Sequence, residues 1–349
     1  MIHHEVVIYH DTSQIRTIAR QMNDENVLLQ VEDAAALGRS GLQRIGYSAD
    51  EARVITDHLV DSELCGYAAL GLARILTISE HPRTREPRQP IRAVHETAVS
   101  ALLDGGNYVG LYAVHQAALV AIDKARANGF ALVGMHNAFL SCRNAYYVEM
   151  IARAGYACIH TACSQPVVAP FGGAAPAFGT NPIAFGLPNE PDPLIFDMGT
   201  SAVMHGDVML ARRLGRLLPE GTAIDAEGRP TRDPAAALAG SILAFGGYKG
   251  SGLALMAQAL GLLGGAALTR GQVQDFAFLF VVFAPDLLMP AAELKRQLTE
   301  LIHRVRATPT QPGVDAIRIP SERAFRERDE RRRTGISLPR LIYERLNAL

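Results

Sequence analysis

The residue types best suited to chemistry crowd into one stretch of the chain, between Pro170 and Leu253. Pro170-Phe171-Gly172-Gly173 is followed by Phe178-Gly179-Thr180-Asn181-Pro182 and by Phe196-Asp197-Met198-Gly199-Thr200-Ser201. Leu218-Pro219-Glu220-Gly221, Ile224-Asp225, Gly228 and Pro230-Thr231-Arg232-Asp233-Pro234 come next. Gly246-Gly247-Tyr248-Lys249-Gly250-Ser251-Gly252-Leu253 closes the run. Glycine lets the backbone approach a ligand closely or turn at positive φ. The hydroxyls of Thr180, Thr200 and Ser201, with free backbone N–H groups, offer hydrogen bonds to phosphate oxygens. Lys249 opens a predicted helix between glycines, which sets an ammonium beside backbone donors in the manner of a diphosphate cradle. Any one of these glycines, taken alone, reads as a structural turn; the ordered set reads as a ligand site.

The common cofactor and catalytic signatures are missing. No Gly-x-Gly-x-x-Gly follows a strand, so the usual dinucleotide fingerprint is not available. There is no Gly-x-x-x-x-Gly-Lys-Ser/Thr loop, no His-Glu-x-x-His, and no Gly-x-Ser-x-Gly elbow. The cysteines, Cys65, Cys142, Cys158 and Cys163, form no Cys-x-x-Cys pair. They read as reduced thiols rather than as a disulfide framework or a metal site.

Elements able to hold such a site are legible around it. Helices are predicted from about Val31 to Ile45, stopped by Gly46, and again after a Ser48-Ala49-Asp50-Glu51 capping box as far as Leu64-Cys65-Gly66. A third helical stretch covers about Gly71 to Ser79, and the Pro- and Arg-rich segment His81 to Pro90 reads as a surface loop. Leu111–Asn128 is an Ala-rich helix ended by Gly129. Phe130–Met135 and Tyr156–Thr161 read as strands around a helix from Arg143 to Ala154, the lengths of α/β units. Short apolar runs at Ile183–Leu187 and Leu194–Phe196 read as strands. Ser201–Arg213 and Gly250–Leu263 read as helices, Phe276–Ala284 as a strand, and Ala291–Arg306 and Leu338–Leu349 as helices. Residues 1–27 read as a loosely attached lead-in.

Length and composition limit the possible roles. The 349 residues are 48% hydrophobic and 20% charged, with net charge −1. That suits a globular protein of one large or two smaller domains and gives no field to gather a polyanion, so no nucleic-acid partner is expected. No apolar run is long enough to span a bilayer, and the N-terminus lacks the basic and apolar regions of a secretory signal. A cytoplasmic protein with no membrane partner is the expectation.

The run from Pro170 to Leu253 resembles the malate/L-lactate dehydrogenase-like oxidoreductases, which include ureidoglycolate and sulfolactate dehydrogenases, diketogulonate reductase and Δ1-piperideine-2-carboxylate reductase. Gly-Thr-Asn-Pro, Asp-Met-x-Thr-Ser, Pro-Thr-x-Asp-Pro and Gly-Gly-x-Lys-Gly occur in the family's order. Asp104-Gly105, Gly110 and Gly335-Ile336 are also similar. The segment after Gly265 is shorter than usual, as if a surface excursion were trimmed. The resemblance covers the chain from about residue 30 onward. It implies an α/β, α+β-like fold whose non-Rossmann cofactor domain holds a mixed, largely antiparallel sheet, beside a second domain built from both chain ends. The implied boundaries are 28–105 with 285–349 for a helical substrate and dimerisation domain, and 106–284 for the NAD(P)-binding domain. It further implies NAD or NADP as cofactor, a homodimer, and a small-molecule carboxylate substrate. By the same resemblance, Ser141, Ser164, Gly179, Thr180, Met198, Gly199, Thr200, Tyr248 and Lys249 contact the cofactor, and Thr161 lies near the substrate. Arg323, in an arginine-rich stretch, either reaches a cofactor phosphate or belongs to a solvated charged helix.

The chain departs from the family where the proton is handled. The family's Ser-His-Gly, with Arg three residues on, is here Ala69-Leu70-Gly71 with Arg74. A second family histidine, counted back from Tyr146-Tyr147, falls on Leu140. Both usual proton-transfer histidines are thus leucines. Reducing a 2-oxo acid needs a proton on the nascent alkoxide, and a positioned acid typically contributes about 10² to 10⁴-fold. A ketimine can instead enter already protonated. Arg74 would grip a substrate carboxylate through two parallel hydrogen bonds. Replacement donors are Tyr146, Tyr147, His160 and His205, and Asp197 either orients a base or ribose or caps the helix after it. Three readings follow: a reductase of a cyclic imino acid or 2-oxo acid, a 2-hydroxy-acid dehydrogenase with a relocated proton donor, and a catalytically impaired dinucleotide-binding homologue.

Overall fold

The computed structural model describes residues 26–266 and 276–349. In chain order the first half comprises β1 (Asn26–Leu29), α1 (Val31–Arg44), α2 (Ala49–Leu64), α3 (Arg74–Glu80), β2 (Arg92–Glu96), β3 (Ser100–Val109), α4 (Gly110–Asn128), β4 (Phe130–Phe139), α5 (Ala145–Arg153) and β5 (Ala157–Cys163). The second half comprises β6 (Val168–Ala169), β7 (Ile183–Leu187), β8 (Leu194–Met198), α6 (His205–Arg213), β9 (Ala223–Ile224), β10 (Pro230–Thr231), α7 (Pro234–Ala239), β11 (Ser241–Leu243), α8 (Tyr248–Leu263), β12 (Phe276–Phe283), α9 (Ala291–Arg306), α10 (Glu322–Thr334), β13 (Ile336–Pro339) and α11 (Arg340–Asn347).

The local signals act as expected at several ends. Ser48 Oγ accepts the Glu51 N–H and Glu51 Oε2 accepts the Ser48 N–H at 2.9 Å, so the capping box starts α2. Gly129 takes the left-handed conformation that ends α4. Along α4, Ala113, Ala117, Ala121 and Ala125 repeat every four residues and are buried, which brings the helix close against the sheet.

The main sheet has seven strands in the order β2-β3-β4-β12-β5-β7-β8. Only β3 and β4 are parallel, joined by the α4 crossover; the other pairs are antiparallel. It is a mixed α/β structure with a mixed sheet. β12, FAFLFVVF, comes from far along the chain and inserts between β4 and β5, and its almost unbroken apolar sequence suits a strand covered on both faces. A second core joins the two ends of the described chain: β1 pairs antiparallel with β13, and Leu42, Ile55, Leu59 and Ile75 pack with Ile336, Ile342 and Leu346. A small sheet, β10-β9-β11-β6, packs with α6 and α7 around Val168, Val208 and Ile242.

Several expectations need correction. Asn26 and Val27 form β1 rather than ending a lead-in; residues 1–25 lie outside the described residues, as does most of the shortened segment after Gly265. The helix expected over 71–79 starts later, at Arg74, after a separate 3₁₀ turn at Ala68–Leu70. The helix expected from Ser201 starts at His205, and β4 runs on to Phe139. β2, β3 and β13 had not been anticipated. The His81–Pro90 segment is not merely a surface loop, because Arg83 turns inward onto Asn107 Oδ1 and Asn137 Oδ1, both at 2.7 Å. The arginine-rich α10 is not simply solvated. Its Arg328 is buried and bidentate on Glu149 at 2.8 and 2.6 Å.

Candidate active site

α3 is two turns long and presents one polar face. Arg74, Thr77 and His81, spaced i, i+3 and i+7, all line a cavity of about 280 Å³. Ligand pockets usually run to about 300–1,000 Å³, so this one suits a small molecule. Leu70 and Leu140 lie in its wall, as do Val167, Met204, Met209 and Phe276. Polar contributions come from Ser141, Ser164, Gln165, Thr180 and His205. The loop after β4 delivers Leu140 and Cys142 with φ of 60° and 61°, a left-handed conformation costly for leucine and associated with functional sites.

Arg74 is 7% exposed, makes no ion pair among the described residues, and its Nε has no hydrogen-bond partner there. A buried guanidinium without a counter-charge is costly unless an anion meets it. Its nearest neighbours leave it facing the cavity. Nη2 lies 2.7 Å from where a Cβ on Gly206 would stand. Burial, and then the charge of Arg74, hold the neighbouring His205 down to about 4. His81 is also held below its ordinary value, by burial first and then by Arg83. Both cavity histidines are therefore neutral at pH 7. Glu80, at the rim, is committed to Arg213 at 2.9 Å and to Arg345 at 3.0 Å.

A second cleft of about 590 Å³ is lined by Phe171, Gly172, Gly173, Gly246 and Gly247. Gly246 and Gly247 have φ of 55° and 61°, and Gly247 is the N-cap of the sixteen-residue α8. The first N–H groups of that helix have no intrahelical acceptors. Tyr248 is 67% exposed and Lys249 is exposed at the same end. Nothing bulky fills the cradle, and its donor set suits an anionic diphosphate. The Gly-Thr-Asn-Pro turn fits between the two regions. A Cβ at Gly179 would stand 2.2 Å from Ser164 Oγ, and buried Asn181 ties the turn to α8 by donating to Ala254 O at 2.9 Å and Gln258 Oε1 at 3.0 Å. Thr200 Oγ1 donates to Thr180 O at 3.0 Å, so that hydroxyl braces the loop. Gly199 leaves room for Met204, whose sulfur would lie 2.3 Å from a Cβ there. Met198, next to it, ends β8.

The structure therefore brings Arg74, His205, Leu70, Leu140, Ser141, Ser164 and Thr180 to one cavity, and sets Tyr248 and Lys249 directly after Gly247, which lines the other. It separates several residues expected beside them. His160 is fully buried in the sheet, stacked on Phe280 at 4.0 Å with Nδ1 on Leu279 O, and burial lowers it to about 3. Thr161 is buried and outside the cavity wall. Tyr146 stacks on buried His58 at 4.3 Å, and burial pushes its hydroxyl up to about 12. Tyr147 donates to Ser141 O at 2.8 Å, which holds the cavity loop from beneath. Asp197 accepts the Ala145 N–H at 2.8 Å, so it caps α5 rather than the helix that follows it in sequence. Arg323 pairs with Glu327 at 2.5 Å, lies over Tyr67 and lines neither cavity. His81 was missed. Its signal was the Arg-x-x-Thr-x-x-x-His spacing, hidden by the proline that follows.

A family model described as malate/L-lactate dehydrogenase matches residues 29–347. The chain is 30% identical to a malate/(S)-sulfolactate dehydrogenase of Methanothermus fervidus, over 93% of this chain and 97% of that protein. It is 31% identical to a Δ1-pyrroline-2-carboxylate reductase of Ancylobacter novellus, over 93% and 98%. A dehydrogenase from Sinorhizobium meliloti has a similar structure, with a TM-score of 0.84 at 29% identity over 93% of this chain and 98% of that one.

Proposed function

The chain belongs to the malate/L-lactate dehydrogenase family of oxidoreductases, and from that premise we propose that it reduces a small cyclic imino acid whose carboxylate is held by Arg74. The observation that carries this reading is the buried Arg74 guanidinium, without an ion pair among the described residues, in the wall of a small and largely apolar cavity. A carboxylate there completes two charge-assisted hydrogen bonds and fixes the position of C2. Leu70 and Leu140 offer apolar contact to a ring and no proton. His205 and His81 are neutral at pH 7, so neither supplies an acid of matched strength. An iminium brings its own proton: hydride adds to C2, the C=N π pair moves onto nitrogen, and the product is the neutral amine. A 2-oxo acid would leave an alkoxide without a donor.

The residues of the second cleft fit a nicotinamide dinucleotide, NAD or NADP, which supplies the hydride when bound. Gly246, Gly247 and the first turn of α8 would hold its diphosphate, with Lys249 as counter-charge. Ser164, Thr180, Met198, Gly199 and Thr200 would hold the nicotinamide end. Ser141, by this reading, joins the two regions.

We read the assembly as a homodimer. Ile159, Phe185 and Phe196 stand in register across β5, β7 and β8 and are each over a third exposed, and α8 exposes Leu255, Met256 and Leu263. The free cysteines suit a reducing cytoplasm. Among the described residues no helix is long and apolar enough to cross a membrane.

A second reading, a 2-hydroxy-acid dehydrogenase, is favoured by His205 standing beside Arg74. The two are separated by following NADH and NADPH oxidation with Δ1-pyrroline-2-carboxylate, Δ1-piperideine-2-carboxylate and a panel of 2-oxo acids. Turnover confined to the 2-oxo acids would exchange the readings. Turnover of neither class, with thermal stabilisation by a dinucleotide, would leave a binding protein in their place.

A further inference from the structure

His81, the C-cap residue of α3, lies seven residues after Arg74, about 10 Å along the axis at 1.5 Å per residue, and lines the same cavity. Its ring is fixed on two sides. It stacks on buried Phe139 at 4.5 Å, and its Nδ1 accepts the Arg83 N–H at 3.3 Å. Arg83 is itself held, through Asn107, Asn137 and the Ala138 carbonyl, and it lies over the same Phe139 ring. In neutral imidazole one nitrogen donates and the other accepts. With Nδ1 committed as acceptor, the proton sits on Nε2, which has no hydrogen-bond partner among the described residues. Protonating the ring would set a second N–H against the Arg83 N–H. His81 is thus a fixed neutral donor rather than an acid.

Two unlike polar groups from the α3 segment line the cavity. Arg74, beside His205 and Gly206, is charged and suited to a carboxylate. His81 is neutral and donating. Accepting the reading that Arg74 holds the substrate's carboxylate, we infer that His81 is a specificity-determining residue whose Nε2–H recognises a hydrogen-bond-accepting substituent on the substrate, remote from the carboxylate. The substrate class is then a small cyclic imino acid carrying an oxygen on its ring, in preference to an unsubstituted ring. An alkyl ring in that place would leave a half-buried N–H unpaired, which is the stronger basis for discrimination.

The test uses stable planar acids in the presence of NADPH or NADH. Dissociation constants of pyridine-2-carboxylate and of its 4-, 5- and 6-methoxy and 4-, 5- and 6-ethyl derivatives are measured by titration calorimetry. Methoxy and ethyl match in size and differ in one acceptor. In the unsubstituted-site protein, one methoxy isomer should bind about five- to tenfold tighter than its ethyl partner, the range of a neutral hydrogen bond. His81→Phe keeps the stack on Phe139 and should bring that ratio to about one while pyridine-2-carboxylate binds as before. His81→Gln, which keeps an N–H donor, should restore part of the preference. A ratio unchanged in His81→Phe, or no isomer discriminated by the native protein, overturns the inference. Arg74→Ala separates the two claims: if it binds pyridine-2-carboxylate as the native protein does, the carboxylate reading fails, whereas the methoxy-to-ethyl ratio reports on His81 alone.

Discussion

Arg74 and Gly206 are in contact across the cavity wall: a Cβ on residue 206 would stand 2.7 Å from the guanidinium Nη2 and 3.2 Å from the Ala69 carbonyl oxygen. Gly206 lies in the first turn of α6, where its backbone is ordinary helix, so the absence of a side chain serves the arginine rather than a turn. Gly206→Ala should displace the guanidinium and raise KM for the imino acid about tenfold, with a smaller effect on kcat. Steady-state kinetics check this, and an unchanged KM would mean the guanidinium is free to move aside.

Arg74→Ala should raise KM about 10- to 100-fold, the worth of a charge-assisted pair to a carboxylate. Because the guanidinium has no ion-pair partner among the described residues and its Nε no acceptor, its removal should lower thermal stability little and can raise it. A large loss of melting temperature would show that Arg74 holds the fold.

Leu140 keeps a left-handed backbone, φ 60°, in which histidine is better tolerated than leucine. Leu140→His should therefore fold, and should raise turnover of 2-oxo acids by up to about 10²-fold while changing imine turnover little. The ratio of the two kcat values is the readout. An unchanged ratio would place residue 140 out of reach of the reacting atoms.

Glu149 and Arg328 form a buried bidentate pair. Burial pushes the Glu149 carboxyl up, but hydrogen bonds and charge from Arg328 and Arg153 outweigh it and leave it below its ordinary value. The pair's stabilisation is thus present above the unfolded carboxyl's range near 4.5 and is lost as pH falls through the lower folded value. Arg328→Ala should cost about 3–5 kcal/mol at pH 7 in urea unfolding, because a buried carboxylate loses its main partner. That cost should shrink as the buffer is made more acid.

Glu63 behaves in the opposite sense. It is buried, accepts the Leu72 N–H at 2.8 Å just before α3, and burial raises it to about 7. Its contribution is fully present below about 4.5 and is lost as pH rises through about 7. Relative to the native protein, Glu63→Gln should gain stability between pH 5 and 8, by up to about 3 kcal/mol. A pH-independent difference would mean that Glu63 stays ionised throughout.

Some of this architecture is written locally. The capping box at Ser48, the glycine stop at Gly129, the Ile183–Leu187 run and the all-apolar β12 each carry their structure in adjacent residues. β2 and β3 do not. Arg92–Glu96 is an exposed edge strand without an apolar face, and Asp104-Gly105-Gly106-Asn107 reads as a turn. In the sheet, positive φ at Gly106 and Asn107 marks an irregularity between Asp104 and Tyr108 that pairing with β4 absorbs. β13 depends on β1, more than 300 residues away in sequence.

By itself the sequence determined the ordered glycine and hydroxyl turns, the arginine at 74 and the leucines at 70 and 140. These are statements about residue type and spacing, and they sufficed to point to the family and to the missing acid. Only the tertiary structure decided which polar groups share the cavity. His160 and His205 looked alike in the sequence, yet one is sealed beneath Phe280 and the other stands beside Arg74. Periodicity fixes the face on which a side chain leaves its strand or helix, but whether that face meets packed core or open cavity depends on elements from elsewhere in the chain. For His160 that element is β12, and for His81 it is the pairing of Arg83 with β3 and β4.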